Sequence, residues 1–529
     1  MIKYYKHISI VIIVLMSITL NTSCTDGFED INKDPYGVTK EEASRDAYSE
    51  SAAMLAMQSW VVPTFPNASQ FTECLLGGNW GGYFADSNPG FNGKNFATYR
   101  PEPDWNKVLF TDIITNFYPN YNALKEVTDD EVLISVAEIC KVSAIHRITD
   151  AYGPIPYSKI GEDGELNSPF DSQEEVYRTM FEELNNAIDI LTVRQAESFS
   201  SNADKVFNGN IIAWIKFANS MKLRLAMRLS YAAPDLAQQM AEEAVAHEVG
   251  VMESNSDNAK IAGFGKDGNP LHRIMYLWNG GDSRISADIT TYMNGFQDPR
   301  REKYFTQSVF DEEDNVNQNG YYGLRSGIMI PAAQEAQKYS NYNCTPTTPM
   351  LWMNAAEVAF LRAEGALRGW NMGAENAQAF YEKGVQLSFQ EWGVDGANNY
   401  LSNTINTPIQ YIDPMAKNSY NGSISNITIA WDESADFEDN LERIVTQKWI
   451  AIFPLGLEAW AEHRRTGYPD LMSVVVNNSG GVVNTTQGPK RLAYPGEEIT
   501  TNEENVRYAI DNYLKGPDNM ATRVWWDAK

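Results

Sequence analysis

Apolar residues recur every three to four positions along most of the chain, and this spacing places them on one face of an α-helix. One such run begins just after Ser172 and Glu175, whose separation predicts a capping box at the start of a helix. Helices are predicted over residues 43–60, 132–149, 176–191, 210–230, 235–247, 355–368, 376–392 and 441–463. Strand patterns are few and short, as at 474–476. The pattern therefore predicts a mostly α fold.

Two of the predicted helices, 355–368 and 376–392, form a candidate helix pair. Alanines recur through the first of them, and small side chains allow the second helix to approach closely. The pair spans little more than one tetratricopeptide unit of about 34 residues. Identity between successive units is weak along the chain, so the pattern predicts helix pairs of this kind without a strict repeat.

Three long stretches between the helices have neither a helical nor a strand pattern: 71–105, 261–284 and 302–343. The first is rich in glycine and asparagine, and all three carry aromatic side chains. A minimal helical bundle does not need such stretches, and long ordered loops are more often functional than idle. We therefore expect an irregular, loop-rich half of the molecule to face a ligand.

The N-terminus has the pattern of a secretory signal. Residues 1–7 carry two lysines and no acid, and the apolar run 8–20 is shorter than the roughly 20 residues of a bilayer span. Cys24 follows small residues, and this segment resembles the lipobox of bacterial lipoproteins, although Asn21 stands where leucine is usual. We predict a signal peptide over 1–23, lipid attachment at Cys24 and a tether over 24–41. The alternative is a plain secreted protein.

Acidic residues begin directly after Cys24. Asp26, Glu29 and Asp30 resemble the export signal that directs Bacteroidetes lipoproteins to the cell surface. The tether also shows the ligand spacing of a calcium-binding EF loop, at Asp30, Asn32, Asp34, Tyr36, Val38 and Glu41. Pro35 stands where that loop needs a glycine for its turn. A solvated tether is therefore favoured over a calcium site, and no cofactor is predicted.

The chain is strongly acidic, with 42 Lys and Arg against 69 Asp and Glu and a formal net charge of −27. This charge disfavours nucleic acid as a partner, because nucleic-acid binding relies on clustered cations. None of His146, His247, His272 and His463 lies in a zinc-ligand spacing, and the cysteines form no CxxC pair. No GxSxG or phosphate-loop motif is present either. The sequence therefore predicts neither a metal site nor an enzyme.

Charged side chains on the later helices are expected to pair with one another rather than with a ligand. These are Glu458, Glu462, Arg464 and Arg465 near one helix end, and Arg224 and Arg228 on an earlier helix.

Six stretches carry a family resemblance: INKDPYG (31–37), DAYGPIPYS (150–158), WIKFANSMKLRLAMR (214–228), FLRAEGALRGW (360–370), LEAWAEHRRTGYP (457–469) and RLAYPGEE (491–498). Together, and in this order, they resemble the SusD/RagB family of Bacteroidetes nutrient-binding lipoproteins. The resemblance implies a single domain over 42–529. It also implies that this domain combines tetratricopeptide-like helix pairs with an irregular, loop-rich half.

The same resemblance implies a function and a partner. Proteins of this kind lie on the outer membrane, facing outward, as a lid over a SusC-like TonB-dependent β-barrel, with ligand held between lid and barrel. We therefore expect capture of an oligosaccharide or a similar nutrient and its delivery to the transporter. Binding of oligopeptides, as by a RagB-like lipoprotein, is the alternative. A surface glycan hydrolase and a purely adhesive repeat protein are less favoured.

Ligand contacts are best sought among the aromatic and polar residues of the irregular stretches. An exposed Trp or Tyr ring can stack on the apolar face of a sugar, while Asn, Asp or Arg bonds the hydroxyl rim. The predicted ligand-binding residues are Asn79, Trp80, Tyr83, Trp278, Arg284 and Tyr322. A peptide could use the same groups. The competing interpretation is that each of these side chains only fixes its own loop.

Overall fold

Long helices form most of the architecture. The computed structural model describes residues 48–160, 167–314, 316 and 319–529. Its longer α-helices are α1 (Tyr48–Val61), α2 (Ile113–Val127), α3 (Glu131–Tyr152), α4 (Gln173–Val193), α5 (Ile211–Arg228), α6 (Pro234–Ala246), α7 (Ala287–Gly295), α8 (Ala355–Leu367), α9 (Ala377–Glu391), α10 (Phe437–Ala451), α11 (Gly456–Thr466) and α12 (Glu503–Asn512). The predicted signal peptide, Cys24, the tether and the EF-like spacing lie outside the described residues.

Short helical segments join these helices and run through the irregular stretches. Three have π-helical turns: Gln70–Gly78, Val108–Asp112 and Arg273–Leu277. The others lie at Pro66–Ser69, Pro89–Phe91, Pro103–Asn106, Ser201–Ala203, Asn255–Asp257, Gly265–Asp267, Pro270–His272, Trp278–Gly280, Arg301–Tyr304, Glu312–Asp314, Ala333–Ala336, Ala397–Leu401 and Gly496–Thr501. The stretch 71–105 is therefore partly helical, although its composition predicts a loop.

Side-chain caps fix where several helices begin. The capping box predicted before α4 is present, because Ser172 Oγ accepts from the Glu175 amide and Glu175 Oε2 accepts from the Ser172 amide. Asn210 caps α5, and Asn354 caps α8 in the same way. Each cap satisfies backbone amides that the first helical turn leaves without a partner.

The helices pack as antiparallel neighbours along the chain. α3 packs against α4, α5 against α6, and α8 against α9, while α10 lies across α8 and α9. The apolar faces of these pairs form one continuous buried cluster. The predicted mostly α fold of tetratricopeptide-like helix pairs is confirmed. Residues from Glu50 to Lys529 form one compact unit.

Two sequence predictions about regular structure are wrong. The helical segment predicted over 441–463 is two helices, because Pro454 lies between α10 and α11 and proline has no amide to continue the helical hydrogen bonds. The predicted strand 474–476 is irregular. The amides of Val475 and Val476 both donate to the carbonyl of Gly327, so no ladder forms there.

Two small antiparallel sheets tie distant parts of the chain together. β1 (Phe84–Asp86) pairs with β3 (Ser283–Ile285), with Asp86 opposite Ser283. β2 (Ala259–Ile261) pairs with β4 (Met350–Met353). The first sheet joins the irregular stretches 71–105 and 261–284, which are nearly two hundred positions apart.

A close backbone contact sets the start of α11 against the π-helical segment Gln70–Gly78. A Cβ on Gly77 would lie 2.6 Å from the Leu457 nitrogen, and one on Gly456 would lie 2.3 Å from the Gly77 carbonyl carbon. Glycine is therefore required on both sides of this contact. The contact places Asn79 and Trp80, which follow the segment directly, beside α11.

Buried ion pairs connect α5, α8, α10 and α11. Arg228 on α5 contacts Glu458 at 2.6 Å and also Glu462, both on α11. Arg465 contacts Glu364 at 2.6 Å and Glu462 at 2.7 Å. Burial raises the pKa of Glu458, but Arg228, Arg224 and Lys448 oppose that effect and lower it to about 2. The predicted pairing of these helices is confirmed for Arg224, Arg228 and Arg465. It is wrong for Arg464.

None of the helices in the described ranges combines the length and apolar character that a membrane span requires.

Candidate functional site

The first two irregular stretches meet at the buried carboxylate of Asp282. Its Oδ2 accepts from the Gln70 side chain at 2.7 Å, and its Oδ1 accepts from Asn88 at 2.8 Å and from Asn279 at 2.9 Å. Asp282 is only 2% exposed. A buried carboxylate with several amide donors fixes the segments that supply them. Asp282 therefore joins the first irregular stretch to the second.

Gln337 brings in the third stretch. Its side-chain amide donates to the carbonyl of Asn279 at 2.7 Å and to that of Gly281 at 3.2 Å. Asn92 adds a second link, because its side chain exchanges two hydrogen bonds with the backbone of Ile330, at 2.8 and 3.0 Å. The three stretches thus share one polar base.

This base carries a loop tip formed by Leu277, Trp278 and Asn279, which we call the Trp278 platform. Leu277 is 60% exposed, and Trp278 is half-buried with the Arg273 guanidinium 6.0 Å from its ring. Asn279 has a φ of +53°, a left-handed conformation that is uncommon outside glycine. Exposed apolar groups on a rigid, locally strained support are typical of binding sites. The platform can therefore stack against a flat apolar surface.

Arg284 lies beneath the platform rather than on it. It is 5% exposed, and its guanidinium donates to the carbonyls of Met275, Gly280 and Gln337. Burial lowers the pKa of Arg284 to about 10, although the nearby Tyr276 and Asp282 act to raise it. In the structure this predicted ligand-binding residue supports the loop, because its donors are directed to backbone oxygens.

Tyr83 and Tyr322 also have packing partners. Tyr83 has no exposed surface, and its hydroxyl donates to the carbonyl of Trp449 at 2.5 Å. A ligand cannot reach this side chain, so Tyr83 is a core residue in the structure. Tyr322 is half-buried, with its ring 6.4 Å from that of Phe310 in a small second apolar cluster.

Asn79 and Trp80 border a second feature, a cleft of about 630 Å³ at the C-terminal end of α11, which we call the α11 cleft. Trp80 is 6% exposed, and its ring lies 4.7 Å from that of Trp460. Asn79 donates to Asp86 Oδ1 at 2.7 Å and accepts from the Ser326 hydroxyl at 2.7 Å. The six predicted residues are therefore divided between two surfaces and the packing behind them.

Asp86 has an unusual environment between the two surfaces. Burial raises its pKa to about 7, Asn79 opposes that rise, and Asp282 adds to it. Its Oδ2 has no hydrogen-bond partner in the described part of the chain. A buried carboxyl of this kind takes up a proton more readily than one in water.

Sequence reasoning missed several residues of both surfaces. Leu277, Asp282 and Gln337 build the platform, and only the position of each one inside an irregular stretch could have indicated them. Trp460 and Lys490 line the cleft. Trp460 lies within one stretch of the family resemblance, and Lys490 directly precedes another, but neither is in a predicted loop.

Within the described ranges, no group of three His, Cys, Asp or Glu side chains is placed to hold a metal ion. Burial lowers the pKa of His146 to about 3 and that of His463 to about 4, so both rings are neutral near pH 7. The arrangement offers stacking surfaces and hydrogen-bond groups, which suit binding.

Comparison with known proteins decides the family. Residues 30–527 match the family described as SusD-like: Susd and RagB outer membrane lipoprotein. A SusD homologue from Bacteroides uniformis is 46% identical, with a TM-score of 0.87 over 91% of this chain and 100% of that one. The chain belongs to the SusD-like family. This confirms the resemblance in the six sequence stretches.

Other solved SusD-like structures agree. A SusD homologue from Bacteroides ovatus is 45% identical, with a TM-score of 0.86 over 92% of this chain and 100% of that one. A chitin-binding SusD homologue from Flavobacterium johnsoniae is 38% identical, with a TM-score of 0.84 over 90% of this chain and 98% of that one. No curated protein matches the chain. This chain therefore belongs to a family of nutrient-binding outer-membrane proteins.

Proposed function

We propose that this SusD-like protein captures oligosaccharides on the Trp278 platform and passes them, chemically unchanged, to a SusC-like TonB-dependent β-barrel. The observation that carries the proposal is the convergence of three irregular stretches on Asp282 and Gln337 beneath an exposed apolar tip. Packing within the protein does not explain this exposed tip, because Leu277 is left largely uncovered there. A ligand that covers Leu277 would explain why an apolar side chain is held at this position.

A sugar matches the chemistry of the platform. The C–H face of a pyranose ring is apolar and can cover Leu277 and the Trp278 indole, while the hydroxyl rim can bond to neighbouring amides and carbonyls. Covering one ring yields a few kcal/mol before ordering costs, which corresponds to roughly millimolar to micromolar affinity. Weak binding of this kind suits a protein that must release its ligand to a transporter.

The family supports the rest of the proposal. A relative with 38% identity binds chitin, which makes chitin fragments the first ligands to test. The family is one of outer-membrane lipoproteins, in keeping with a lipid on Cys24 and a surface-facing domain. The β-barrel partner is the one implied by the resemblance to SusD.

Ligand class is tested by titrating the protein with pooled neutral oligosaccharides, including chitotriose, and separately with a casein digest. We expect heat of binding with an oligosaccharide and no shortened products in the recovered pool. Trp278→Ala should weaken that binding by about tenfold or more, as expected for a stacked ring. Trp370→Ala is the matched control, because Trp370 is also half-buried but follows α8 in the helical part.

Equal affinity of the Trp278→Ala and Trp370→Ala variants for the oligosaccharide would contradict the proposal. Binding of the casein digest alone would instead favour the oligopeptide alternative, and shortened sugars would indicate a hydrolase.

Anchoring is tested by replacing the cysteine that precedes the tether. Cys24→Ala should move the protein from the membrane fraction to the soluble fraction, because each buried CH₂ of a lipid chain contributes about 0.8 kcal/mol to membrane binding. The oligosaccharide affinity of the soluble variant should be unchanged. Retention of Cys24→Ala in washed membranes would show that another feature holds the protein there.

A further inference from the structure

The α11 cleft contains a buried arginine that forms no ion pair with a carboxylate of the described residues. Arg464 donates to the carbonyls of Asp150 at 2.7 Å, Lys490 at 2.9 Å and Trp460 at 3.4 Å. Its Nη2 has no hydrogen-bond partner within the described residues, and the side chain is 4% exposed. Carbonyl oxygens satisfy some of its N–H groups, and the carboxylates of Asp150 and Asp527 act on its charge only from beyond ion-pair distance.

Lys490 adds a second positive charge to the same wall. It is half-buried, and its Nζ has neither a hydrogen bond nor an ion pair with any described residue. Burial lowers its pKa, Asp527 opposes that effect, and Arg523 and Arg464 reinforce it. The Arg464 guanidinium donates to the Lys490 carbonyl at 2.9 Å, and both side chains line the cleft. Lys490 therefore extends the positive wall that Arg464 begins.

Two more cations line the cleft, and each is already paired. Arg523 contacts Asp527, and Lys529 contacts Glu438 at 2.7 Å. Two acids, Asp288 and Asp470, also line the cleft, and neither forms an ion pair with Arg464 or Lys490. The Asp288 carboxylate accepts from the Met472 amide at 2.7 Å and from the Ser286 hydroxyl, and Asp470 has no cation within ion-pair distance in the described part of the chain.

This wall is unusual in a chain with a formal net charge of −27. The buried Arg224, Arg228, Arg300, Arg465 and Arg491 each have a carboxylate within 3.0 Å. Arg464, like Arg284, Arg325 and Arg443, has none within ion-pair distance among the described residues. Desolvating a cation without a counter-charge is unfavourable, so an anion supplied from outside would bind with a gain. Trp460 holds the Arg464 guanidinium flat, with Cζ 3.6 Å from the ring centroid. That stacking fixes the orientation of the charged group.

We propose that the α11 cleft binds an acidic saccharide, with a carboxylate or sulfate group against Lys490 and Arg464. The cleft volume of about 630 Å³ accommodates a short oligosaccharide. Exposed hydroxyl and amide groups of Ser423, Thr485 and Gln487 line the rest of it and can bond sugar hydroxyls. This site is separate from the Trp278 platform and does not depend on the function proposed for that surface.

The test is titration of the full mature protein with trigalacturonate, with a sulfated trisaccharide and with neutral maltotriose. We expect at least one acidic probe to bind and its affinity to fall as sodium chloride is raised from 50 to about 500 mM. Lys490→Gln should weaken that binding about tenfold, the usual range for a charge-assisted hydrogen bond, and Lys490→Arg should retain it. Lys515→Gln, an exposed lysine outside the cleft, is the matched control.

Three results would overturn the proposal. One is the absence of binding of both acidic probes at millimolar concentration. The second is equal affinity of Lys490→Gln and Lys515→Gln. The third is displacement of the acidic probe by inorganic sulfate at equal concentration, which would show that the sugar contributes nothing. Trp278→Ala should leave acidic-probe binding unchanged, so failure here is distinguishable from failure of the platform.

Discussion

Arg464 and Arg465 are neighbours in the sequence and both are almost fully buried, but they belong to different parts of the molecule. Arg465 turns into the helical core, where it bonds both oxygens of Glu364 at 2.6 Å and also Glu462. Arg464 turns to the cleft, where it bonds only carbonyls and stacks on Trp460. One residue step at the end of α11 separates an arginine with two carboxylate partners from one that has none within ion-pair distance among the described residues.

The same difference separates the two halves of the protein. Between the helices, Arg224 bonds both oxygens of Glu357 at 2.7 Å, and Arg300 bonds Asp298 in a similar way. Around the irregular stretches, Arg284 and Arg325 donate to carbonyls instead. Charge in the helical half fixes helices to one another. In the loop-rich half, Arg284 and Arg325 hold loops in place through backbone carbonyls. Neither is paired with a carboxylate of the described residues, so their positive charge can attract a negatively charged ligand.

The largest expected loss of stability follows from removing a buried ion pair in the helical half. Arg465→Leu should lower the free energy of unfolding by about 3–5 kcal/mol, because it leaves Glu364 and Glu462 buried without their main counter-charge. Arg464→Gln should cost less, about 1–3 kcal/mol, since only carbonyls lose a donor. Urea unfolding monitored by circular dichroism measures both.

The stability contributed by the buried ion pairs should depend on pH in a definite direction. The pKa values of Glu364, Glu458 and Glu462 are lowered in the folded protein, against the effect of burial. Their contribution is therefore present above the unfolded pKa of about 4.3 and is lost as pH falls toward the folded values. The loss of unfolding free energy in Arg465→Leu, relative to wild type, should shrink as pH is lowered from 6 to 3.

The control is an exposed ion pair. Arg507→Gln removes the pair with Glu503 and should lower the free energy of unfolding by under about 1 kcal/mol. An equal loss of unfolding free energy in Arg465→Leu and Arg507→Gln would contradict the difference expected between buried and exposed ion pairs.

An intermediate effect is expected at Asp86, where burial raises the folded pKa to about 7. The folded state then binds a proton more tightly than the unfolded state, whose pKa is about 3.9. Wild-type stability should therefore decline between pH 4 and 7 through this group. Asp86→Asn removes the titration, so the variant should gain on wild type by about 1–3 kcal/mol over that window and no further above it. A constant difference from pH 4 to 8 would show that Asp86 is ionised in the folded protein.

The smallest stability effect is expected at the Trp278 platform. Trp278→Ala should change the free energy of unfolding by less than about 1.5 kcal/mol, because the ring is half-buried on a loop tip. Trp449→Ala, in the core of α10, should cost about 3–5 kcal/mol. Thermal melting compares the two. A comparable loss at both positions would make Trp278 a packing residue.

The fold was predictable because helical periodicity is a local property of the sequence. The spacing of apolar residues indicated α3, α5, α8 and α9 to within a few positions, and Ser172 and Glu175 indicated the start of α4. The helix break before α11 could have been predicted from Pro454, whose missing amide ends the helical hydrogen bonds.

The site was less predictable because it depends on contacts between distant segments. Tyr83 and Trp278 both lie in irregular stretches, and nothing local shows that one packs on Trp449 while the other is held at a loop tip. The convergence of Gln70, Asn88 and Asn279 on Asp282 spans more than two hundred positions. Likewise, the sequence places Arg464 and Arg465 together, and only tertiary packing separates them.

The most direct test is a crystal structure of the protein with the neutral oligosaccharide that it binds best. We expect a pyranose ring to lie against the Trp278 indole at van der Waals distance, about 4 Å, with Leu277 covered. We also expect Asp282 and Gln337 to keep the contacts they have without ligand. An oligosaccharide bound elsewhere, with Leu277 and Trp278 still exposed to solvent, would contradict the proposed binding site.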